Sequence, residues 1–393
     1  MLFLFKPCFI FIASWFFSVL FLLFSVTEVS FDNYILVFFI FLFSLSFFYV
    51  GFFLSRYLKS NKIGLDGLDG LDGPDGPDGL DGLDGGRCES YLFILLFFVF
   101  LIVCYNFYVF GPPPFLSHFG IVTLEYTFYG RFKGLLIPLL SAIAIINFYT
   151  KSIYLKLFFW GMVYFIFLLY VLRGPIIISL FQVTFFYFFT KYKYKKHGRN
   201  EYFRLLLKVS IVLFCFVLFF TVLGQNRSGF AHFYQNLKIT DDAKDLYPIS
   251  FLWISTYLST PLSNFMWYFD TYSFFPQYDF SFLSRILPAF WACESSVIQN
   301  NLDSISDYMV DNVNFYLFYW FSSLGLLGVA LVNVFYGLFS HILLRFNIFY
   351  PLIASCLMFL FFIDYVFYFS TIVEFCILLI YVQFYSKFLG RIE

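Results

Sequence analysis

Apolar runs of about 20 residues, the length a helix needs to cross the hydrocarbon core of a bilayer, recur from one end of this chain to the other. A water-soluble fold has no place for so many of them, because surface-to-volume scaling would leave too much apolar area facing water. Of the 393 residues only 12% are charged and 61% are hydrophobic, with Phe alone occurring 67 times. The usual charged share is about 25%. The solvent is therefore lipid, and the expected fold class is an all-α, polytopic integral membrane protein. The excess of Phe over Leu carries no functional meaning, since either residue satisfies a lipid-facing position.

Hydropathy places about ten spans, at roughly 8–26, 34–54, 91–110, 134–150, 154–172, 174–190, 205–224, 315–342, 350–367 and 370–387. Lys6 precedes the first run and no small-residue cleavage site follows it, so that run reads as a retained span. With the N-terminus inside, 17 of the 24 Lys and Arg fall on the cytoplasmic side and 7 outside. That is the sign of the positive-inside rule, and KYKYKKHGR at 191–199 is its strongest anchor. Both termini are expected in the cytoplasm. The chain then divides into two first spans (1–54), a cytoplasmic linker (55–90), a transmembrane core (91–224), a large outer loop (225–313) and C-terminal spans (314–393).

The linker contains GLDGLDGLDGPDGPDGLDGLDG, Gly64 to Gly85, seven Gly-x-Asp triplets and a closing glycine. Glycine at every third position suits a triple helix, but that needs three chains and longer, proline-rich arrays. Calcium-binding nonapeptide repeats place Asp in a different frame. Uniform triplets of this kind read as a flexible, negatively charged linker in a tolerant loop. The outer loop is different. It sets four basic residues against nine acidic ones and intersperses Trp253, Tyr257, Trp267, Tyr268 and Trp291 among polar residues. A bare connection of that length is far outside ordinary loops. It is expected to fold on the membrane surface as short interfacial helices that present a binding site.

Few residues can carry chemistry. The seven cysteines are scattered without a CxxC pair and the four histidines lack metal-ligand spacing, so no metal site is expected. His232 reads as a surface residue rather than a base. There is no Walker A motif and no GxGxxG after a strand, and no cofactor is expected. Any reaction must draw on an already activated substrate or an ion gradient. The basic run abuts a span, as topology demands, and is no nucleic-acid patch. Charges within or at the edge of spans are the default candidates. Arg173, in YVLRGPIIIS, and Arg227, in LGQNRSG, fall at outer span ends. Each suits a lipid headgroup by snorkelling, or a phosphate gripped bidentately; together they could clamp one anionic headgroup. Asp364 and Glu374 lie near the outer ends of the last two spans, where pairing with arginine, a proton path and plain hydration are all open.

TYLSTPLSNF, Thr256 to Phe265, resembles the Tyr-x-Ser-x-Pro-x-x-x-Phe segment of bacterial oligosaccharide repeat-unit polymerases, the Wzy group. DNVNFYLFYWFSSLGLLGVALVNVFYGLFS, Asp311 to Ser340, resembles the family segment in which an Asn precedes a span with Gly-x-x-Gly and a later Gly, here Asn312, Gly325, Gly328 and Gly337. Arg173 and Arg227 match the family layout as well. An Asp often stands two residues before the first of those glycines; this chain has Ser323. The resemblance covers roughly residues 90–390.

It implies a metal-independent glycosyltransferase of the bacterial inner membrane that polymerises undecaprenyl-pyrophosphate-linked repeat units at the periplasmic face into O-antigen or capsule. Arg173 and Arg227 would stabilise the leaving pyrophosphate, with Arg285 a third contact. Tyr257, Asn264 and Asn312 would bind substrate, Tyr257 and Asn264 near the entrance of an aromatic loop. Expected partners are the lipid-linked oligosaccharide, the bilayer, a chain-length regulator and a lipid-linked oligosaccharide flippase. The rival expectations are an O-antigen ligase, which would want a functional His in the loop, and a transporter of lipid-linked sugars.

Overall fold

A computed structural model describes residues 5–24, 26–27, 31–60, 85–111, 113, 115, 133–170, 173–192, 204, 207–208, 211, 238–272, 315–344, 346–360 and 368–389. The Gly-x-Asp tract from 64 to 84 lies outside them, as does most of the expected span 205–224. Among the described residues the fold is helical, with no strand; one isolated antiparallel bridge pairs Thr27 with Ile239.

Among the described residues twelve α-helices run in chain order: α1 Pro7–Leu22, α2 Tyr34–Ser60, α3 Gly85–Phe110, α4 Lys133–Ile146, α5 Ile153–Leu169, α6 Arg173–Tyr192, α7 Asp241–Leu246, α8 Ile249–Tyr272, α9 Phe318–Leu324, α10 Leu326–Leu343, α11 Tyr350–Met358 and α12 Phe369–Leu389. A 3-10 turn, Asn147–Tyr149, follows α4. Among the described residues four helical stretches are long and apolar enough to cross a membrane: Tyr34–Leu58, Cys88–Val109, Gly174–Tyr192 and Leu326–Leu343. Their outward faces carry large apolar side chains, such as Phe38 and Phe53 on α2 and Phe97 and Phe100 on α3. Exposed rings of this size match a surface that faces acyl chains rather than water.

The helices form two interlocked groups. In one, α1 sits among α2, α8, α10 and α11; in the other, α4 sits among α3, α5, α6 and α12. The α6–α11 contact joins them. The tightest pair is α2 with α10. A Cβ built on Gly51 would collide with the Val334 carbonyl, and one on Gly337 with the Phe48 carbonyl. Small residues let two backbones approach this closely where lipid gives helices no hydrophobic reason to associate. Gly328, in the first turn of α10, plays the same part against the Trp320 carbonyl of α9.

Contacts sort the helix ends into two faces. On one, the Tyr350 hydroxyl donates to the Phe5 carbonyl (2.6 Å), Cys8 Sγ lies 3.8 Å from His341 Nε2, and the Tyr381 hydroxyl reaches Cys88 Sγ at 3.7 Å. On the other, Thr240 N–H donates to the Val26 carbonyl (3.1 Å) and Phe31 N–H donates to Ser263 Oγ (3.0 Å). Residues 238–248 therefore sit at the end of the bundle opposite Phe5, beside the α1–α2 connection.

Two expectations change, and one open alternative, hydration of Glu374, closes. The segment 225–313 is not a set of short surface helices throughout, because Ile249–Tyr272 is one helix of 24 residues built into the core against α1. The run 315–342 is not one span: the chain breaks at Gly325, whose φ of 63° ends α9 and starts α10. Glycine is suited to that left-handed conformation, having no Cβ to clash. Glu374 does not sit in water at a helix end; it is only 5% exposed.

Candidate functional site

The helix α8 contains the TYLSTPLSNF segment, and its physical problem is to bury many hydroxyls. Ser255, Thr256, Ser259, Thr260, Ser263 and Asn264 are all buried. Most of these hydroxyls turn back on their own helix. Ser255 and Thr256 donate to the Leu252 carbonyl (3.1 and 2.8 Å) and Ser259 to the Ser255 carbonyl (2.7 Å). Such bonds satisfy a side chain without outside partners and tend to bend a helix. Pro261 adds to the effect, since it has no N–H and withholds the bond that the Tyr257 carbonyl would otherwise accept. The α8 rod is thus polar in composition yet can lie inside a bundle.

Two sequence segments meet here. Phe265, the last residue of TYLSTPLSNF, has its ring 5.8 Å from Phe315 and 5.9 Å from Phe321. One turn on, Tyr268 lies 4.6 Å from Phe318 and Phe269 lies 4.7 Å from Phe321. Such ring separations suit offset or edge-to-face packing, which adds to plain area burial. Trp15 of α1 closes the other side, 5.0 Å from Phe315 and edge-on to it.

Behind the rings, one hydrogen-bond chain fixes the approach to α9. The Tyr316 hydroxyl donates to Asn333 Oδ1 (2.8 Å), Asn333 Nδ2 donates to the Val329 carbonyl (2.7 Å), and Tyr316 N–H donates to the Leu360 carbonyl (3.4 Å). Tyr316 and Asn333 are both fully buried. A satisfied polar pair at such depth specifies one arrangement of the chain. It therefore sets where α9 begins and hence where Gly325 breaks the helix.

The surface beside this region is acidic. Thr240 caps α7 by accepting from Ala243 N–H (3.3 Å), and Lys244 Nζ bonds Asp241 Oδ1 at 2.7 Å. The hydrogen bond from Lys244, followed by its charge, holds the Asp241 carboxyl below its ordinary range.

Of the sequence-derived site residues, Arg173 opens α6 and Tyr257 lies in α8. Asn264 is also in α8, but at 1% exposed it belongs to the interior of the packed helix rather than to the mouth of an open loop. The reason is local: Asn264 lies between Ser263 and Phe265, both fixed by contacts to other elements. Arg227, Arg285 and Asn312 lie outside the described residues. Asn333, Tyr316 and Trp15 were not singled out by sequence; the signal available was a lone Asn within an apolar run, which is costly in lipid without a partner. Among the described residues no group of His, Cys, Asp or Glu could hold a metal ion. Apart from exposed Asp270, α8 offers no carboxylate, base or cation, so its buried face can orient a substrate but not exchange protons.

No family model, curated protein or solved structure matches the chain.

Proposed function

We propose that the chain is a repeat-unit polymerase of the Wzy type: a glycosyltransferase of about ten spans in the bacterial inner membrane, with both termini cytoplasmic and its site on the periplasmic face. One observation carries the reading. The two segments that resemble the family, Thr256–Phe265 and Asp311–Ser340, are separated by 45 residues of sequence, yet Phe265 packs on Phe315 and Phe321. Ser263 of the first segment accepts from Phe31 N–H, which ties it to the α1–α2 connection at the bundle end opposite Phe5. A site assembled from distant segments at one end of a bundle is the arrangement a lipid-linked substrate requires.

The chemistry asked of the protein is modest. A hydroxyl of the incoming repeat unit attacks the anomeric carbon of the nascent chain as the bond to the undecaprenyl pyrophosphate breaks. The hydroxyl proton leaves, and the pyrophosphate departs with the bonding electrons. The donor is already activated, so no nucleotide is required. The protein supplies orientation and stabilises charge growing on the leaving group. Arg173 and Arg227 are assigned to the pyrophosphate, with Arg285 a third contact and Tyr257 and Asn312 on the sugar. Asn264, being buried, is reassigned from contact to support. A chain-length regulator and a flippase complete the expected partners.

The experiment is complementation of a polymerase-null strain. Lys at 173 or 227 keeps charge but loses the fork, and long-chain polymer should fall sharply. Ala should cost more, since a charge-assisted bond contributes about 1.5–3 kcal/mol, roughly 10- to 100-fold in rate. The accumulating species should be lipid capped with one repeat unit. Normal long-chain polymer from the Arg173→Ala, Arg227→Ala double variant would sink the proposal. A second reading, a transporter of lipid-linked sugars, is favoured by the break at Gly325, because interrupted helices form transporter sites. Loss of flipped lipid-linked substrate, rather than of polymer length, would select it.

A further inference from the structure

A polar cluster separate from α8 lies between α5, α6, α11 and α12. At its centre is Glu374 of α12, 5% exposed, with the side chain of Gln182 beside its carboxyl. Gln182 is 1% exposed; its Nε2 donates to Ser355 Oγ (3.2 Å), and Ser355 Oγ in turn donates to the Leu352 carbonyl (2.6 Å). One turn above Gln182 on the same face of α6 is Ser179, fully buried, with the Tyr164 hydroxyl of α5 next to it.

The depth of the pair follows from two helices independently. Glu374 lies seven residues from Tyr381, whose hydroxyl marks the end of the bundle near Cys88. Gln182 lies seven residues from Phe189, whose ring packs 6.0 Å from Phe5 at the same end. Seven residues of helix rise about 10 Å, so both groups sit at one level well inside the bundle. A carboxyl at that level is expensive and needs a partner.

The hydrogen-bond accounting shows what is missing. Among the described residues Glu374 Oε1 has no hydrogen-bond partner, and neither has Gln182 Oε1. Both atoms are acceptors. Gln182 has an amide N–H turned to Ser355, so one oxygen on each of the two neighbouring side chains is left without a donor. Among the described residues no ion pair supplies a cation to Glu374, and buried acceptors of this kind are almost always satisfied. One hydrogen on the carboxyl resolves both deficits, by making Glu374 the donor and Gln182 Oε1 its acceptor.

The groups facing Glu374 leave that account intact. Past Gly134, α4 runs along α12 with no ionisable residue. Gln182 comes from α6 and Ser355 from α11, whose only titratable residues are Tyr350 and Cys356. From α3 the Tyr91 hydroxyl is bonded to the Ile377 carbonyl (3.2 Å), and on α12 itself Tyr381 points to Cys88.

We propose that Glu374 and Gln182 form an intramembrane proton-binding site, in which the Glu374 carboxyl is held as an acid whose O–H donates to Gln182 Oε1. The ligand is a proton: the acid dissociates to carboxylate and H⁺, and recombines, with no other reactant. The site is independent of the glycosyl transfer proposed above and stands whether or not that activity is found.

Infrared difference spectroscopy on the full chain in lipid nanodiscs reads the protonation state directly. Wild type minus Glu374→Gln at neutral pH should show the carbonyl stretch of a hydrogen-bonded carboxylic acid. Glu374→Asp should shift that band, and Gln182→Leu should move it toward the position of a free acid. Glu374→Gln should retain the monodisperse elution and melting temperature of wild type, because an amide N–H can donate to Gln182 as the acid does. Should that variant fail to fold, isotope-edited glutamate spectra of the wild type and Glu374→Asp carry the same comparison. Paired carboxylate stretches in place of the acid band would overturn the proposal. So would loss of the acid band on adding sodium, which would make the site one for a metal cation.

Discussion

Gly337 of α10 meets the Phe48 carbonyl of α2 backbone to backbone, with no space for a Cβ between them. The same glycine carbonyl accepts from His341 Nδ1 at 2.7 Å, so one residue sets both the helix contact and the orientation of an imidazole. Gly337→Ala must push α2 and α10 apart. Overpacking of this kind costs about 1–3 kcal/mol, and the melting temperature in detergent should fall. Gly161 of α5 is the control, since a Cβ there meets nothing within 4 Å. Gly161→Ala should leave stability unchanged or raise it by about 0.5–1 kcal/mol. Equal melting temperatures for the two variants would contradict the packing.

The Tyr316–Asn333 bond predicts an asymmetry between single and double variants. Tyr316→Phe leaves Asn333 Oδ1 buried without its 2.8 Å donor and should cost about 1–3 kcal/mol. Pairing it with Asn333→Leu removes the stranded group and should recover part of the loss. Additive losses in thermal unfolding would show that the bond contributes nothing.

Topology is testable with cysteines, though not with Cys88, which is 1% exposed and will resist labelling from either side. Asp242→Cys and Lys151→Cys place thiols on exposed residues of opposite connections. A membrane-impermeant maleimide added to intact cells should label position 242 and spare 151. The reverse pattern would turn the molecule over.

The Asp241–Lys244 pair carries a pH signature. Because Lys244 depresses the Asp241 carboxyl, the stability it lends α7 is present above the ordinary carboxylate range and fades as pH falls through the lowered value. Carboxylate titration by NMR should find Asp241 below the range of a free Asp and should return it there in Lys244→Ala. With both groups at the surface, global stability should barely move. An Asp241 midpoint unaffected by Lys244→Ala would exclude the pair.

Apolar length made the membrane class legible, because lipid demands it of each crossing helix. It could not reveal α8, whose Ser and Thr lower the hydropathy of a buried rod while the hydroxyls of Ser255, Thr256 and Ser259 bond carbonyls of the same helix. Nor could it reveal the break at Gly325, since backbone angle leaves no trace in hydropathy. For Glu374 the sequence left pairing, a proton path and hydration open; neighbours from α6 and α11 enclose it, and those contacts cross 173 residues of chain between Gln182 and Ser355. The glycines of the family-like segment were legible as a pattern, and the structure gives each a steric role. Among the arginines, Arg173 is placed at the head of a helix, while Arg227 and Arg285 lie beyond the described residues.

The position of α1 has a consequence for biogenesis. It leaves the ribosome before any of its neighbours α8, α10 and α11, and the bond between Phe5 and Tyr350 spans 345 residues. Contacts so distant in sequence are slow to form. For most of translation the buried Ser14, Ser18 and Trp15 must therefore wait in the bilayer without the surfaces that finally enclose them. Chains arrested before Tyr350 should expose this helix to membrane quality control, and a longer pause in synthesis should deepen the loss.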